Sequence, residues 1–189
     1  QSGLGLPDEA YYREEAHAET LSAYEKHVAE MLEFLDPARL FGLGAEVAAH
    51  RIVSLEKELA AGHWDVVSTR DAVKTYNPCE FSELPTMTRA LLSGGNLPEH
   101  RVVNMMPSYL EHFEGLFTSN RMADWQLWAT WHILRSRAAM LPEEVGAKNF
   151  EFYGTKLSGA TQQRDRWKRA VGLAESLVGE EIGLSLIHI

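Results

Sequence analysis

The chain has 189 residues, 45% hydrophobic and 24% charged, with a formal net charge of -9, and that length supports one globular domain that buries roughly 70% of its unfolded surface. The acidic balance argues against nucleic acid as a partner, because phosphates require a basic face. The single Cys79 excludes an internal disulfide framework, and no apolar run reaches the ~18 residues that would cross a bilayer as a helix.

Pro7-Asp8 marks a helix start, with Asp8 able to cap free N–H groups. Leu21, Tyr24, Val28, Met31, Leu32 and Leu35 recur at spacings of three and four, which predicts one long helix with an apolar face. Glu14, Glu15, Glu19, Glu25, Lys26 and Glu30 form its wet face, and Asp36-Pro37 ends it. Gly42-Leu43-Gly44 leads into a second helix. There Ala48, Ile52, Leu55 and Leu59 make the buried stripe, and Glu46, Arg51, Glu56, Lys57 and Glu58 the solvated face. His63-Trp64-Asp65 opens a less regular region, in which Arg70, Asp71 and Lys74 form a helical turn stopped by Asn77-Pro78. A short helix is expected over Leu84 to Ser93, closed by Gly94-Gly95-Asn96.

Val102-Val103-Asn104-Met105 is the one strand candidate. Pro107 suits the first turn of the following helix, which Leu110, Phe113, Leu116 and Phe117 line. Asp124 to Leu141 is the most aromatic helix: Leu127, Trp131, Leu134, Ala138 and Leu141 share a face, and Trp125 and Trp128 flank it. Phe150, Phe152 and Tyr153 run into a Ser158-Gly159 break. A last helix starts at about Thr161, carries Arg164, Arg166, Lys168 and Arg169, and places Trp167, Val171, Ala174 and Val178 in one stripe. The sum is an all-α chain, an irregular array of about seven or eight helices with at most one short strand. No repeat of fixed period and no internal boundary is visible.

Chemistry is sparse. A zinc peptidase helix needs two His four apart with a Glu beside the first. None of the eight histidines stands three to five residues from another, so no local two-His motif exists. Glu14 and His17 make a single Glu-x-x-His match of the kind that carboxylate-bridged metal sites use twice, on a face that otherwise reads as solvated. Gly3-x-Gly5 is not a dinucleotide loop, since Asp8 stands where the third Gly belongs and no strand precedes it. Cys79 has no base placed beside it by sequence and reads as an inert, partly buried thiol. The serines lack a Gly-x-Ser-x-Gly setting. Positive charge at the start of the last helix opposes the helix dipole, which makes an acidic partner for Arg164, Arg166, Lys168 or Arg169, from Asp165, Glu175 or another helix, plausible beside the plainer reading of solvated charges. Trp125, Trp128 and Trp131 at helical spacing read as core before they read as a stacking platform for a ligand. Catalytic and metal residues are therefore expected to be absent from this chain, and no substrate-binding residue is assigned.

Five stretches, in order, resemble the zinc metallopeptidases of the neprilysin, endothelin-converting enzyme and bacterial oligopeptidase family. They are Gln1 to Pro7 with Tyr11-Tyr12, Arg70-Asp71 with Tyr76-Asn77-Pro78, Pro107-Ser108-Tyr109, Asn149 to Arg169, and Gly179-Glu180-Glu181-Ile182-Gly183. The resemblance spans residues 1–183 and matches the helical lobe upstream of the family's catalytic lobe; the family's His-Glu-x-x-His and Glu-x-x-x-Asp do not occur here. It implies a parent enzyme in which zinc polarises the scissile carbonyl and activates water while a Glu acts as base, cleaving oligopeptides on the amino side of apolar residues. This lobe would cover the catalytic lobe and wall a cavity that admits short peptides and excludes folded proteins. Its partners would be that downstream catalytic lobe and the oligopeptide substrates. The isolated chain is expected to be inactive and to bind no zinc.

Ala170 follows the Arg-Trp-Lys-Arg run where animal members usually carry Cys, which with the lone Cys79 points to a bacterial parent, a cytoplasmic one ahead of a secreted one. Position 1 is not Met and no signal peptide opens the chain, so the sequence is expected to begin inside a longer product or after a removed segment. The final helix is expected to end at Gly183. Residues 184–189 alternate in polarity, unlike the helix the family would continue there, and are expected to be a non-native or misread tail. The competing reading is a non-enzymatic helical module that binds a peptide or protein partner.

Overall fold

The structure, a computed structural model, describes residues 3–97 and 99–187, with side chains up to Gly179. Among the described residues it is all-α, with eight α-helices and one two-stranded sheet. Contacts divide the chain into two compact units, one ending at His132 and one beginning at Ile133.

In the first unit the expected long opening helix is broken. α1 (Ala10–Arg13) stops at Glu14, whose backbone is extended (φ -86, ψ 134), and a 3-10 turn (Glu15–His17) precedes α2 (Ala18–Leu32). Asp8 does act at the start, its Oδ1 accepting the Ala10 N–H at 3.0 Å. The expected apolar face of α2 is confirmed at Tyr24, Val28, Met31 and Leu32, all buried. Asp36-Pro37 begins a 3-10 turn (Pro37–Leu40), with Asp36 Oδ1 accepting the Ala38 N–H at 2.9 Å.

α3 (Ala45–Gly62) packs along α2 and buries Ala48, Ile52, Leu55 and Leu59 as its spacing predicts. One assignment on its wet face is overturned: Glu56 is fully buried. The reason is geometric, since Glu56 stands four residues after Ile52 and three before Leu59, inside the apolar stripe. Trp125, Leu4, Leu55, Leu59 and Ala60 form one core cluster, with Phe113, Phe117 and Trp128 packed against it. Two ion pairs fasten α3 from outside: Arg51 to Asp124 at 2.6 Å, and Arg121 to both oxygens of Glu58 at 2.6 Å.

The strand candidate is confirmed as β2 (Val102–Val103), but its partner was not foreseen. β1 (Pro78–Cys79) pairs with it antiparallel, Pro78 opposite Val103. Asn-Pro reads as a breaker, yet a proline is compatible with a short edge pairing. Asn77 clamps the ends together: its Nδ2 donates to Lys74 O and Asn104 O, and its own carbonyl accepts the Asn104 N–H. α4 (Thr86–Gly94) and α5 (Pro107–Leu116) follow, the latter with Pro107 in its first turn as expected. α6 (Met122–Arg137) is the aromatic helix, and the division between units falls within it.

In the second unit α6 tightens into a 3-10 turn (Ala138–Met140), α7 (Glu143–Phe150) runs on into one π-helical turn (Glu151–Lys156), and α8 (Arg166–Ile187) ends the described chain. Leu134, Ala138, Val145 and Phe152 are its buried apolar residues. Gly154 is required in the π turn, because a Cβ there would overlap the Phe150 ring. α8 begins at Arg166 and not near Thr161, since Asp165 provides the first intrahelical acceptor, its carbonyl taking the Arg169 N–H at 3.1 Å. Its backbone continues past Gly183, where the sequence reading ended it, to Ile187. The tail expected at residues 184–189 and the acidic Gly179–Gly183 motif fall where side chains from position 180 onward, and all of residues 188 and 189, lie outside the described residues. Gln1 and Ser2 of the first motif also lie outside them.

Candidate functional site

The most organised polar assembly is centred on Glu56. Its carboxylate accepts hydrogen bonds from the Tyr12 hydroxyl at 2.7 Å and the Tyr24 hydroxyl at 3.1 Å, and His132 Nε2 lies 2.8 Å from Oε1. The Trp131 indole N–H donates to the Tyr24 oxygen at 2.8 Å, and the backbone N–H groups of Gly5 and Leu6 both donate to the Tyr12 oxygen at 3.0 Å. A carboxylate at 0% exposure persists only with such a set of partners. Burial first, then the adjacent Glu56 charge, push the Tyr12 phenol far above its ordinary value, so it remains a donor. A general base must reach a substrate proton. Glu56 has its oxygens engaged and no path to solvent, so this assembly holds structure.

What it holds is the amino-terminal segment. Leu4 and Leu6 are buried, the Trp128 indole N–H donates to the Gly3 carbonyl at 3.1 Å, and Tyr12 grips the next two N–H groups. A Cβ on Gly5 would overlap the Tyr24 hydroxyl, which explains why Gly-Leu-Gly-Leu precedes Tyr11-Tyr12. Gly5 thus serves close approach to a tyrosine and Gly3 a left-handed backbone (φ +86), and neither cradles a nucleotide.

A cleft of about 300 Å³ opens beside this network, lined by Glu9, Tyr12, Arg13, Lys57, His63 and Asp65 among others. Glu9 and Glu14 raise the Arg13 guanidinium, at 2.9 and 3.1 Å. The Ser68 hydroxyl and N–H hold the Asp65 carboxyl below its usual range. Charges of both signs line the cleft, and of these Arg13 and Glu9 bind each other. A second cleft of about 260 Å³ contains Asn77, Cys79, Glu83, Asn104 and Glu111, with Cys79 half-buried in its wall.

The sequence-level candidates are dispersed. Glu14 pairs with Arg13, and His17 stacks on Tyr11 with ring centroids 4.2 Å apart. Among the described residues no group of three or more His, Cys, Asp or Glu side chains converges as a metal ion requires. Trp125 and Trp131 are core, and Trp131 is fully buried against Tyr24 and His27. The Pro-Ser-Tyr motif also serves packing: Ser108 Oγ accepts from the Trp64 indole at 2.7 Å, and the Tyr109 ring meets that of His63 at a tilt, centroids 4.3 Å apart; the Tyr-Asn-Pro motif supplies the Asn77 clamp to Asn104.

The basic run also finds a role. Arg166 donates to the carbonyls of Leu141 and Met140 at 3.3 and 3.1 Å, and Arg169 to that of Ala139 at 2.9 Å. These are the free carbonyls that follow the end of α6, so two arginines of α8 cap another helix. The expected acids are present but secondary: Glu143 lies 3.9 Å from Arg166 and 3.7 Å from Arg169, and Asp165 lies 3.0 Å from Lys168. The Glu56 assembly was missed by sequence reasoning, although the helical period carried the signal in a charged residue within an apolar stripe.

Comparison with known proteins accounts for motifs that serve packing in place of catalysis. The chain aligns over its whole length with the zinc metalloprotease Zmp1 of Mycobacterium tuberculosis. It matches the open state determined by cryo-EM at 41% identity with a TM-score of 0.84, and the inhibitor-bound crystal structure at 40% identity with the same score. It is 29% identical over 195 residues to Neprilysin-2 of Drosophila melanogaster. It spans 30% of the Zmp1 chain and 24% of Neprilysin-2. With the family's sequence profile matched over residues 1–188, this chain belongs to Peptidase family M13.

Proposed function

We propose that this chain is a lobe of a zinc-dependent metalloendopeptidase that acts on oligopeptides, and that it walls the substrate cavity and contacts the catalytic lobe without supplying the reacting groups. The match to a zinc metalloprotease across the entire chain, at 41% identity but over 30% of that enzyme, carries this reading. The polar chemistry supports it. The described side chains contain no three-ligand cluster, so the residues in hand do not fit a zinc ion, and no catalytic step is assigned to them. Carboxylates that are buried or paired, among them Glu9, Glu56, Glu58 and Asp124, are engaged by neighbours within the lobe.

The parent is proposed to be bacterial, a cytoplasmic enzyme ahead of a secreted one, on the strength of Ala170 in the place of a cysteine and of Cys79 standing alone. Residues 184–189 are proposed to be foreign to its gene. Sequencing the source DNA beyond codon 183 and expressing the longest frame tests the whole reading. A frame encoding His-Glu-x-x-His, a product that cleaves an internally quenched peptide and loses that activity to chelators, and an inactive, zinc-free 189-residue chain are the expected results. Peptide cleavage by the 189-residue chain alone, or a stop directly after codon 189, would overturn it.

A further inference from the structure

α8 carries two faces with different fates, one mixed and one apolar. Arg166, Arg169, Ala170 and Leu173 line a cleft of about 260 Å³ together with Ala139 and Met140, which follow the end of α6. At about 100° per residue, Trp167, Val171, Ala174 and Val178 lie on another face, roughly 120° around the helix. That face is open: Trp167 is 65% exposed, Val171 57% and Val178 46%. The polar residues Lys168, Glu175 and Ser176 lie elsewhere on the helix, so the apolar arc is much wider than the part this chain uses. Isolated exposed apolar residues need no explanation, but a contiguous stripe headed by a tryptophan marks an interaction surface.

We infer that this face is an internal interface of the parent, covered by an apolar helical segment of the same polypeptide C-terminal to residue 183. The inference rests on the reading that the chain is one lobe of a longer peptidase. The length of the relatives points to the occupant, since 30% of the Zmp1 chain corresponds to all of this one and the remainder has to pack somewhere. The stripe's size points the same way. Val178 departs from helical geometry (φ -136, ψ 25), which ends the straight run. The twelve positions from Trp167 to Val178 are about 18 Å of helix, the footprint of one crossing helix of ordinary length. A stable dimer needs about 800 Å² per partner, more than one such stripe provides. A covalently linked segment needs far less, because linkage raises its effective concentration. The stripe itself carries no charge, so its occupant is apolar.

The test uses the full-length parent with Val171→p-benzoylphenylalanine, photolysed and mapped by mass spectrometry, alongside hydroxyl-radical footprinting of the unsubstituted protein, which keeps the inference testable if the substitution impairs folding. The expected outcome is an intramolecular cross-link to a peptide beyond residue 183. Oxidation of Trp167 is expected to fall roughly fivefold or more from the 189-residue chain to the parent, as for a side chain passing from largely exposed to buried. A cross-link within residues 1–183 or to a segment N-terminal of them, a cross-linked dimer, or unchanged Trp167 oxidation would each overturn it. Quenched-peptide cleavage by the same preparation scores the peptidase reading separately: an active parent with an exposed Trp167 sinks only the interface, and an inactive parent bearing the expected cross-link sinks only the enzymatic reading.

Discussion

α3 and α8 are helices of similar sequence pattern and opposite outcome. Each has an apolar stripe at spacings of three and four and charged residues on the rest of its surface. α3 takes a carboxylate, Glu56, entirely out of water, whereas α8 leaves Trp167 65% exposed. Periodicity says which positions face alike. It does not say what a face meets. Glu56 meets two tyrosine hydroxyls and a histidine, so its burial is compensated. The Trp167 face remains largely exposed, with the Lys168 ammonium of its own helix set over the indole, 5.3 Å from the ring centre.

The sharpest way to break this contrast is to remove the compensation. Glu56→Ala leaves the Tyr12 and Tyr24 hydroxyls and His132 without their acceptor, and is expected to cost about 3–5 kcal/mol. Urea denaturation followed by tryptophan fluorescence measures this, and a loss below ~1 kcal/mol would show that the network is slack. Next in size is Gly5→Ala, whose Cβ must displace the Tyr24 hydroxyl; an overpacking cost of about 1–3 kcal/mol is expected. Proteolysis near the amino terminus should accelerate with it.

The raised Tyr12 phenol makes the comparison pH-dependent. A group whose folded pKa lies above its unfolded value of about 10 contributes stability in full below that pH and loses it as the pH climbs above. Unfolding free energy is therefore expected to fall above about pH 10 by up to ~1.4 kcal/mol per pH unit from this group. Tyr12→Phe should flatten that part of the profile, and identical profiles for the two proteins would refute the assignment.

Smaller effects are expected on α8. Arg169→Ala removes the donor to the Ala139 carbonyl and is expected to cost about 1 kcal/mol. Amide exchange should quicken across the turn at Ala138–Met140 and the start of α7, and leave α3 unchanged. Smallest of all, Trp167→Ser in this chain is expected to alter stability by no more than about 0.5 kcal/mol, the opposite of what a core tryptophan would show. A large loss in a thermal melt would mean that the stripe already has a partner.

Much of the site was legible and was misassigned for identifiable reasons. Glu56 was placed on the wet face because charge outweighed position, although four residues after Ile52 and three before Leu59 is a core register. The pairing of Pro78 with Val103 was invisible because two-residue strands leave no periodic trace. The break at Glu14 was also hidden, since both segments share one acidic surface and the turn between them contains neither Gly nor Pro. Gly5, by contrast, sits in a stretch that the family resemblance already singled out, and its reason is now a tyrosine hydroxyl 19 positions away in sequence.

The amino-acid sequence by itself determined the all-α class, the main helices and their apolar stripes, the turn-forming prolines and the missing two-His motif, because each depends on neighbours within a few residues. Tertiary structure alone decided which stripe is core and which is surface. It also decided which carboxylate is buried, and that the arginines of α8 cap the end of α6. Those outcomes depend on hydrogen-bond partners and packing surfaces 25 to 76 residues away, as between Arg166 and Leu141 or Glu56 and His132. No local pattern encodes which distant group will arrive to satisfy a buried charge.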